Sequence, residues 1–163
     1  MVARCLTPVT KEPTGLFRTD GKRPDGLTLV PWQSGRSLCW DVTVICPLAE
    51  SYVTGSAREA GAAAELAASS KEEKYASIGS EYLFAPIAVE TLGPMNTSAR
   101  QLFSNVGRKI SSASSDDREG AFLFQRVSVL VQRYTTLYCY TTPCQPLTAR
   151  TDDLYPFVYY LNF

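Results

Sequence analysis

Apolar and polar positions are most sharply patterned between residues 23 and 46, RPDGLTLVPWQSGRSLCWDVTVIC. Arg23-Pro24-Asp25 opens a short apolar run from Leu27 to Trp32, a polar turn spans Gln33 to Arg36, and a second apolar run extends from Leu38 to Ile45. Two runs of β-branched and aromatic residues around a Gly-containing turn predict a hairpin ending near Cys46-Pro47. Side chains alternate along a strand, so Leu38, Trp40, Val42 and Val44 share one face. Cys39, Asp41, Thr43 and Ile45 share the other. An ionised carboxylate at the centre of such a strand is costly to desolvate unless something positive meets it.

The rest of the chain is organised around this hairpin. Residues 1–15 show no period and carry Pro8, Pro13 and Gly15, which predicts an irregular segment. Leu16-Phe17-Arg18 is a candidate short strand, and Asp20-Gly21 a turn. From Ala57 to Tyr75 alanine-rich sequence with Glu, Arg and Lys predicts a helix, with Ser56 as N-cap and Glu59 at the capping-box spacing. At helical period Ala60, Ala64, Ala67, Lys71 and either Lys74 or Tyr75 form one stripe. Small alanines let such a helix lie close to a sheet, with Lys71 or Lys74 reaching over the edge. The alternative is that the KEEK run is a solvated helix end.

Residues 80–92 predict a further strand, with Pro86 marking an edge or a bulge and Gly93-Pro94 ending it. Asn96 or Thr97 caps a predicted helix to about Ser111, with Leu102, Phe103, Val106 and Ile110 inward. Ser111 to Ser115 is a predicted break. A strongly apolar helix then runs from Glu119 to Tyr134, started by Asp116 or Asp117, with Phe122, Leu123, Val127, Leu130, Val131 and Tyr134 inward. Residues 135–163, rich in Thr and Tyr, lose the helical period and read as added strands or as an unrelated tail. The chain contains no internal repeat.

Composition narrows the chemistry. A chain of 163 residues supports one domain with a real core. No apolar run approaches the length of a membrane span, and no signal-peptide pattern opens the chain. Five scattered cysteines, Cys5, Cys39, Cys46, Cys139 and Cys144, read as reduced intracellular thiols rather than a disulfide framework. The sequence has no histidine, which excludes Ser-His-Asp and Cys-His hydrolases and His-dependent zinc sites. Hydrolytic chemistry would have to come from carboxylates, lysine, tyrosine and metal-bound water. The formal net charge is +0, below the basic excess usual in nucleic-acid binders. Residues 1–40 are nevertheless basic, holding Arg4, Lys11, Arg18, Lys22, Arg23 and Arg36 against Glu12, Asp20 and Asp25.

Asp25 and Asp41 are therefore candidates for two carboxylates on neighbouring strands converging on a metal ion. Phosphodiester hydrolysis without histidine needs such oxygen ligands for Mg²⁺ and one mobile cation to orient water or neutralise charge. Asp25, Asp41 and Lys71 or Lys74 supply those types. The alternative is a turn aspartate plus an acid paired with Arg23 or Arg36.

RPDG, a strand ending WDVTV and an Ala-rich helix ending in Lys71-x-x-Lys74-Tyr75 together resemble the restriction-like endonuclease domain of non-LTR retrotransposons, a branch of the PD-(D/E)xK nuclease superfamily. The resemblance covers residues 15–92, and residues 93–134 also look like the C-terminal ends of transposon-encoded proteins. It implies an α/β domain over residues 16–134. Such a domain has a small mixed β-sheet of the restriction-endonuclease-like type, the Ala-rich helix on one face and two C-terminal helices. It implies that Asp25 and Asp41 bind Mg²⁺ or Mn²⁺, and that Thr43 stands where many superfamily members have their lysine. That lysine would have moved to the helix, as Lys71 or Lys74, with Tyr75 beside it. Arg18, Lys22, Arg23 and Arg36 become candidate DNA contacts. The implied activity is nicking of target DNA to prime reverse transcription, inside the cell and in the nucleus. DNA would be the partner, element RNA would be reached through an upstream polyprotein, and no membrane would be involved.

Two other expectations remain open: a catalytically inactive transposon-derived remnant with weak nucleic-acid binding, and an oligomerising module built on the 119–134 helix.

Overall fold

The computed structural model describes residues 7–16, 23–78 and 81–139. Its architecture is mixed α/β. A four-stranded sheet in the order β1 (Val9–Lys11), β2 (Gly26–Thr28), β3 (Leu38–Ile45), β4 (Leu83–Glu90) is antiparallel except for the parallel β3–β4 pair. Between β3 and β4 lie a single-turn helix, α1 (Val53–Ser56), and the Ala-rich α2 (Ala62–Lys74). Two longer helices follow, α3 (Thr97–Ser114) and α4 (Glu119–Cys139). None of the described helices is long and apolar enough to cross a membrane.

The alternation in β3 sorts the two faces as expected. Leu38, Trp40, Val42 and Val44 join Ile87, Val89 and the inner faces of α3 and α4 in the main core. Ile45 and Ala88 meet Ala63, Ala64, Ala67 and Ala68 of α2 on the opposite face. Both faces of β3 are thus covered, which is the burial a parallel pair requires. It also makes Asp41, 4% exposed, an acid inside the protein.

The N-terminal strand of the predicted hairpin is shorter than its apolar run. Thr28 Oγ1 donates to Val30 O at 2.8 Å and accepts from Leu38 N at 2.9 Å, which turns the chain out of the sheet at once. Leu29 and Val30 are left exposed. A tight turn at Gln33–Arg36 follows, with Ser34 and Gly35 both at positive φ. Residues 9–11, within the segment expected to be irregular, instead form β1 against β2, because β2 would otherwise be an open edge. The candidate strand at Leu16–Arg18 falls mostly outside the described residues.

Boundaries of α2 differ from the sequence expectation for a specific reason. Gly61 takes φ 91°, a left-handed conformation through which a helix cannot run, so α2 starts at Ala62 and Ala60 is exposed outside it. The expected Ser56–Glu59 capping box does not form, and the Ser56 hydroxyl is buried without a partner. Glu90, 3% exposed at the end of β4, supplies the cap: its Oε1 accepts from Ala63 N at 3.1 Å and Ala64 N at 3.2 Å. A carboxylate at the helix N-terminus satisfies orphan amides and favours the dipole.

Pro86 lies on an edge strand, where its missing N–H is harmless. Asn96 closes that edge: its Oδ1 accepts from Ala88 N at 2.9 Å and its Nδ2 donates to Pro86 O at 3.1 Å. α3 buries Leu102, Phe103, Val106 and Ile110 as the period predicts. It runs past Ser111, where a break was expected, and ends at Ser115 with φ 58°.

In α4 the inward stripe is Phe124, Val127 and Val131, flanked by Leu123 and Leu130. Phe122 is 44% exposed, contrary to the expected inward set. Gly120 decides this, because it faces Gly107 of α3 so closely that a Cβ on Gly107 would lie 2.9 Å from Gly120 Cα. Residues 120, 124, 127 and 131 then form the stripe against α3, and Phe122 turns outward. α4 also continues to Cys139, beyond the loss of periodicity at 134, and the side chain of Tyr134 lies outside the described residues.

Gly26 of the RPDG stretch has a packing cause. A Cβ there would collide with the six-membered ring of Trp40, the largest fully buried side chain among the described residues. Gly26→Ala should therefore cost about 1–3 kcal/mol, read as a lowered denaturant midpoint at unchanged m-value. Glu90→Ala should cost about 1–3 kcal/mol by leaving two buried amides unpaired, with lost helical ellipticity near the transition.

Candidate functional site

Asp25, Asp41, Lys71 and Tyr75 converge between β3 and the last turn of α2. Asp25, 7% exposed, sits immediately before β2, where its amide donates to Trp40 O at 3.0 Å. Its Oδ2 accepts from Val42 N at 2.6 Å, across the strand from Asp41's own position. Asp41 projects from the α2-facing side of β3. Lys71 Nζ donates to Asp41 Oδ2 in an ion pair, with the Lys71 side chain 24% exposed. The Tyr75 hydroxyl lies 3.3 Å from Asp41 Oδ1 and 3.2 Å from Arg23 O, so its one proton is shared between two acceptors.

Each position follows from local structure. Four buried alanines hold α2 against β3 and β4, so that a lysine in its last turn reaches the strand acid. Tyr75 is the C-cap residue, 1% exposed, and its ring lies 4.9 Å from that of Phe84, the β4 neighbour of Cys39. Lys74 is one turn past Lys71 and half-buried, its Nζ 5.1 Å from the Tyr75 ring centroid. Among the alternatives left open by the sequence, Lys71 is the lysine at the acids and Lys74 stands at the margin. Thr43 is half-buried on the same strand face.

Electrostatics follow from burial. Asp25 is raised from 3.8 to about 7, first by desolvation and then by the Asp41 charge, while the Val42 amide and Lys71 oppose the rise. The Cys39 thiol is pushed up to about 12 by burial and by the two aspartates, so it is held protonated and inert. The Tyr75 hydroxyl is also raised, by burial and then by Asp41, and remains a proton donor.

The site therefore holds two closely placed carboxylates, one ammonium and one phenol. Asp25 and Asp41 are the described acids that could hold a cation. No group of three or more His, Cys, Asp or Glu suited to a metal occurs among the described residues. A pair of hard oxygen donors suits Mg²⁺ or Mn²⁺, because Mg²⁺ keeps several of its waters and takes one or two carboxylates. The same pair is a poor set for zinc, which takes three or four protein ligands.

Of the four cations expected as DNA contacts, the described residues include two, Arg23 and Arg36. Arg18 and Lys22 lie outside the described residues. Arg23 pairs with Glu12 at 2.6 Å, a contact that depends on β1 and left no sign in the sequence. Arg36 is exposed at the hairpin turn. An unexpected cation–π contact sits near it, with Lys109 Nζ 3.5 Å from the Trp32 ring centroid.

No protein-family model matches the chain, and neither curated proteins nor solved structures yield a match.

The raised Asp25 makes a pH prediction. Its neutral form is favoured in the fold, so this stabilisation is complete below about pH 4 and is lost as pH rises through about 7. In metal-free buffer the melting temperature should fall between about pH 4 and pH 7. Asp25→Asn, which keeps the Val42 contact, should flatten that slope. Were the pair to hold Mg²⁺, millimolar Mg²⁺ would raise the melting temperature at the alkaline end and little at the acidic end, where protons compete for the same oxygens.

Proposed function

We propose that the chain is the restriction-like endonuclease domain of a non-LTR retrotransposon, nicking DNA with Mg²⁺ or Mn²⁺. The observation that carries this reading is the convergence of Asp25, Asp41, Lys71 and Tyr75 at one place. These four residues are spread over residues 25 to 75, and the resemblance to that family marks them as a set. The mixed sheet with an Ala-rich helix on one face and two helices on the other supports the same reading.

In this reading Asp25 and Asp41 hold the cation, which would supply charge neutralisation at the scissile phosphate and a more acidic water. Asp25 must be ionised to bind it, and the cation's charge would draw its proton off near neutral pH. Lys71, now on Asp41, would exchange part of that contact for a phosphate oxygen as negative charge develops there. Tyr75 donates to Asp41 and fixes the rotamer of the carboxylate. Lys74, at the margin, would contact a flanking phosphate. The nuclear location implied by the family is part of the same proposal.

One observation favours the inactive remnant. Held by two acids alone, a cation would bind with modest affinity. The Lys71–Asp41 ion pair stands as a stable structural contact in its own right.

Nicking of supercoiled plasmid separates the two readings. The active domain should nick with Mg²⁺ or Mn²⁺ and stop with EDTA. Asp41→Ala and Lys71→Met should each lose about a hundredfold or more, and Lys74→Met about tenfold or less. A folded protein that binds DNA weakly and never nicks would establish the remnant.

A further inference from the structure

The face of α4 that α3 does not cover forms a groove of about 620 Å³ with Ile110 at the end of α3. Apolar side chains run along its middle, flanked by charged ones: Leu123 and Leu130 are half-buried, while Phe122 and Val129 are 44% and 54% exposed. Its charges are segregated by sign. Asp116, paired with Arg118, and Glu119 lie at the N-terminal end of the groove and Arg133 at the C-terminal end, with Glu119 and Arg133 equally spaced on either side of Arg126.

That order is self-complementary. We propose that α4 of one chain lies antiparallel against α4 of a second copy, across a two-fold axis beside Arg126. In this arrangement Glu119 meets Arg133 of the second copy, Phe122 meets Leu130, and Leu123 meets Val129, each contact occurring twice. A surface that repeats itself in reverse fits its own copy through an isologous interface. Opposed helix dipoles add to the attraction. The match is specific to a second copy: an acidic or a basic peptide would satisfy one end of the groove and meet like charge at the other. Arg126 falls beside its own copy on the axis. The proposal is independent of whether the domain cuts DNA.

Sedimentation velocity on the full chain, from about micromolar to hundreds of micromolar, tests it. The wild type should pass reversibly from monomer to dimer. Glu119→Arg and Arg133→Glu each place like charges together in a self-pair, and each should weaken dimerisation by about tenfold or more. Both side chains reach solvent, and circular dichroism checks that each variant is folded. An equimolar mixture of the two variants restores both opposite-charge pairs and should dimerise as the wild type does. A wild type that stays monomeric throughout would overturn the proposal. So would a mixture that associates no better than its components.

Discussion

A carboxylate in the middle of a strand covered on both faces must be answered by a cation, and in this fold α2 brings the lysine that answers it. Asp41 is accordingly the point on which sheet and helix agree. The helix is fixed at both ends by acids from adjacent parallel strands. Glu90 of β4 holds the first amides of α2, and Asp41 of β3 holds Lys71 in the last turn. Between them the buried alanines set how closely the helix lies on the sheet. Register along α2 is thereby fixed, and the same register delivers Tyr75 to Asp41 and to the carbonyl of Arg23.

The opposite face of the sheet makes its close approaches with glycine. Gly26 leaves room for the Trp40 ring against the chain beside Asp25, and Gly107 with Gly120 brings α3 and α4 nearly to backbone contact. The RPDG stretch thus serves two purposes in adjacent residues: Asp25 turns to the site and Gly26 makes room for the core. Asp25 accepts from the Val42 amide, so the carboxylate is oriented by the strand that carries the second acid.

Much of this was legible in the sequence because it depended on short-range periodicity. The period-two alternation of β3, the inner face of α3 and the lysine-bearing end of α2 all follow from repeats within a single element. What was not legible depended on a partner distant in sequence. Glu90 caps a helix nearly thirty residues before it, and no local signal marks an acid at a strand end as a cap. Gly61 reads as a mild helix weakener, yet its positive φ moves the start of α2 and displaces the Ser56 cap. Phe122 has the right spacing to point inward, and only the Gly107–Gly120 contact reveals that α4 is rotated away from it. At the site, chemistry suggested two lysines, and the choice between them required knowing how far α2 extends beyond the alanines that anchor it.

The Asn96 side chain has a consequence for how the sheet can grow. By taking up the amide of Ala88 and the carbonyl of Pro86, it occupies the bonding positions on the outer side of β4 that another strand would need. Pro86 offers no amide on that side either. A passing extended segment therefore finds no ladder to join at this edge, and edge-to-edge aggregation through the longest pair of strands is blocked. The opposite border ends in a strand of three residues, Val9–Lys11, too short to template much. A domain built around a buried acid is in this way also guarded at its margins against misassembly.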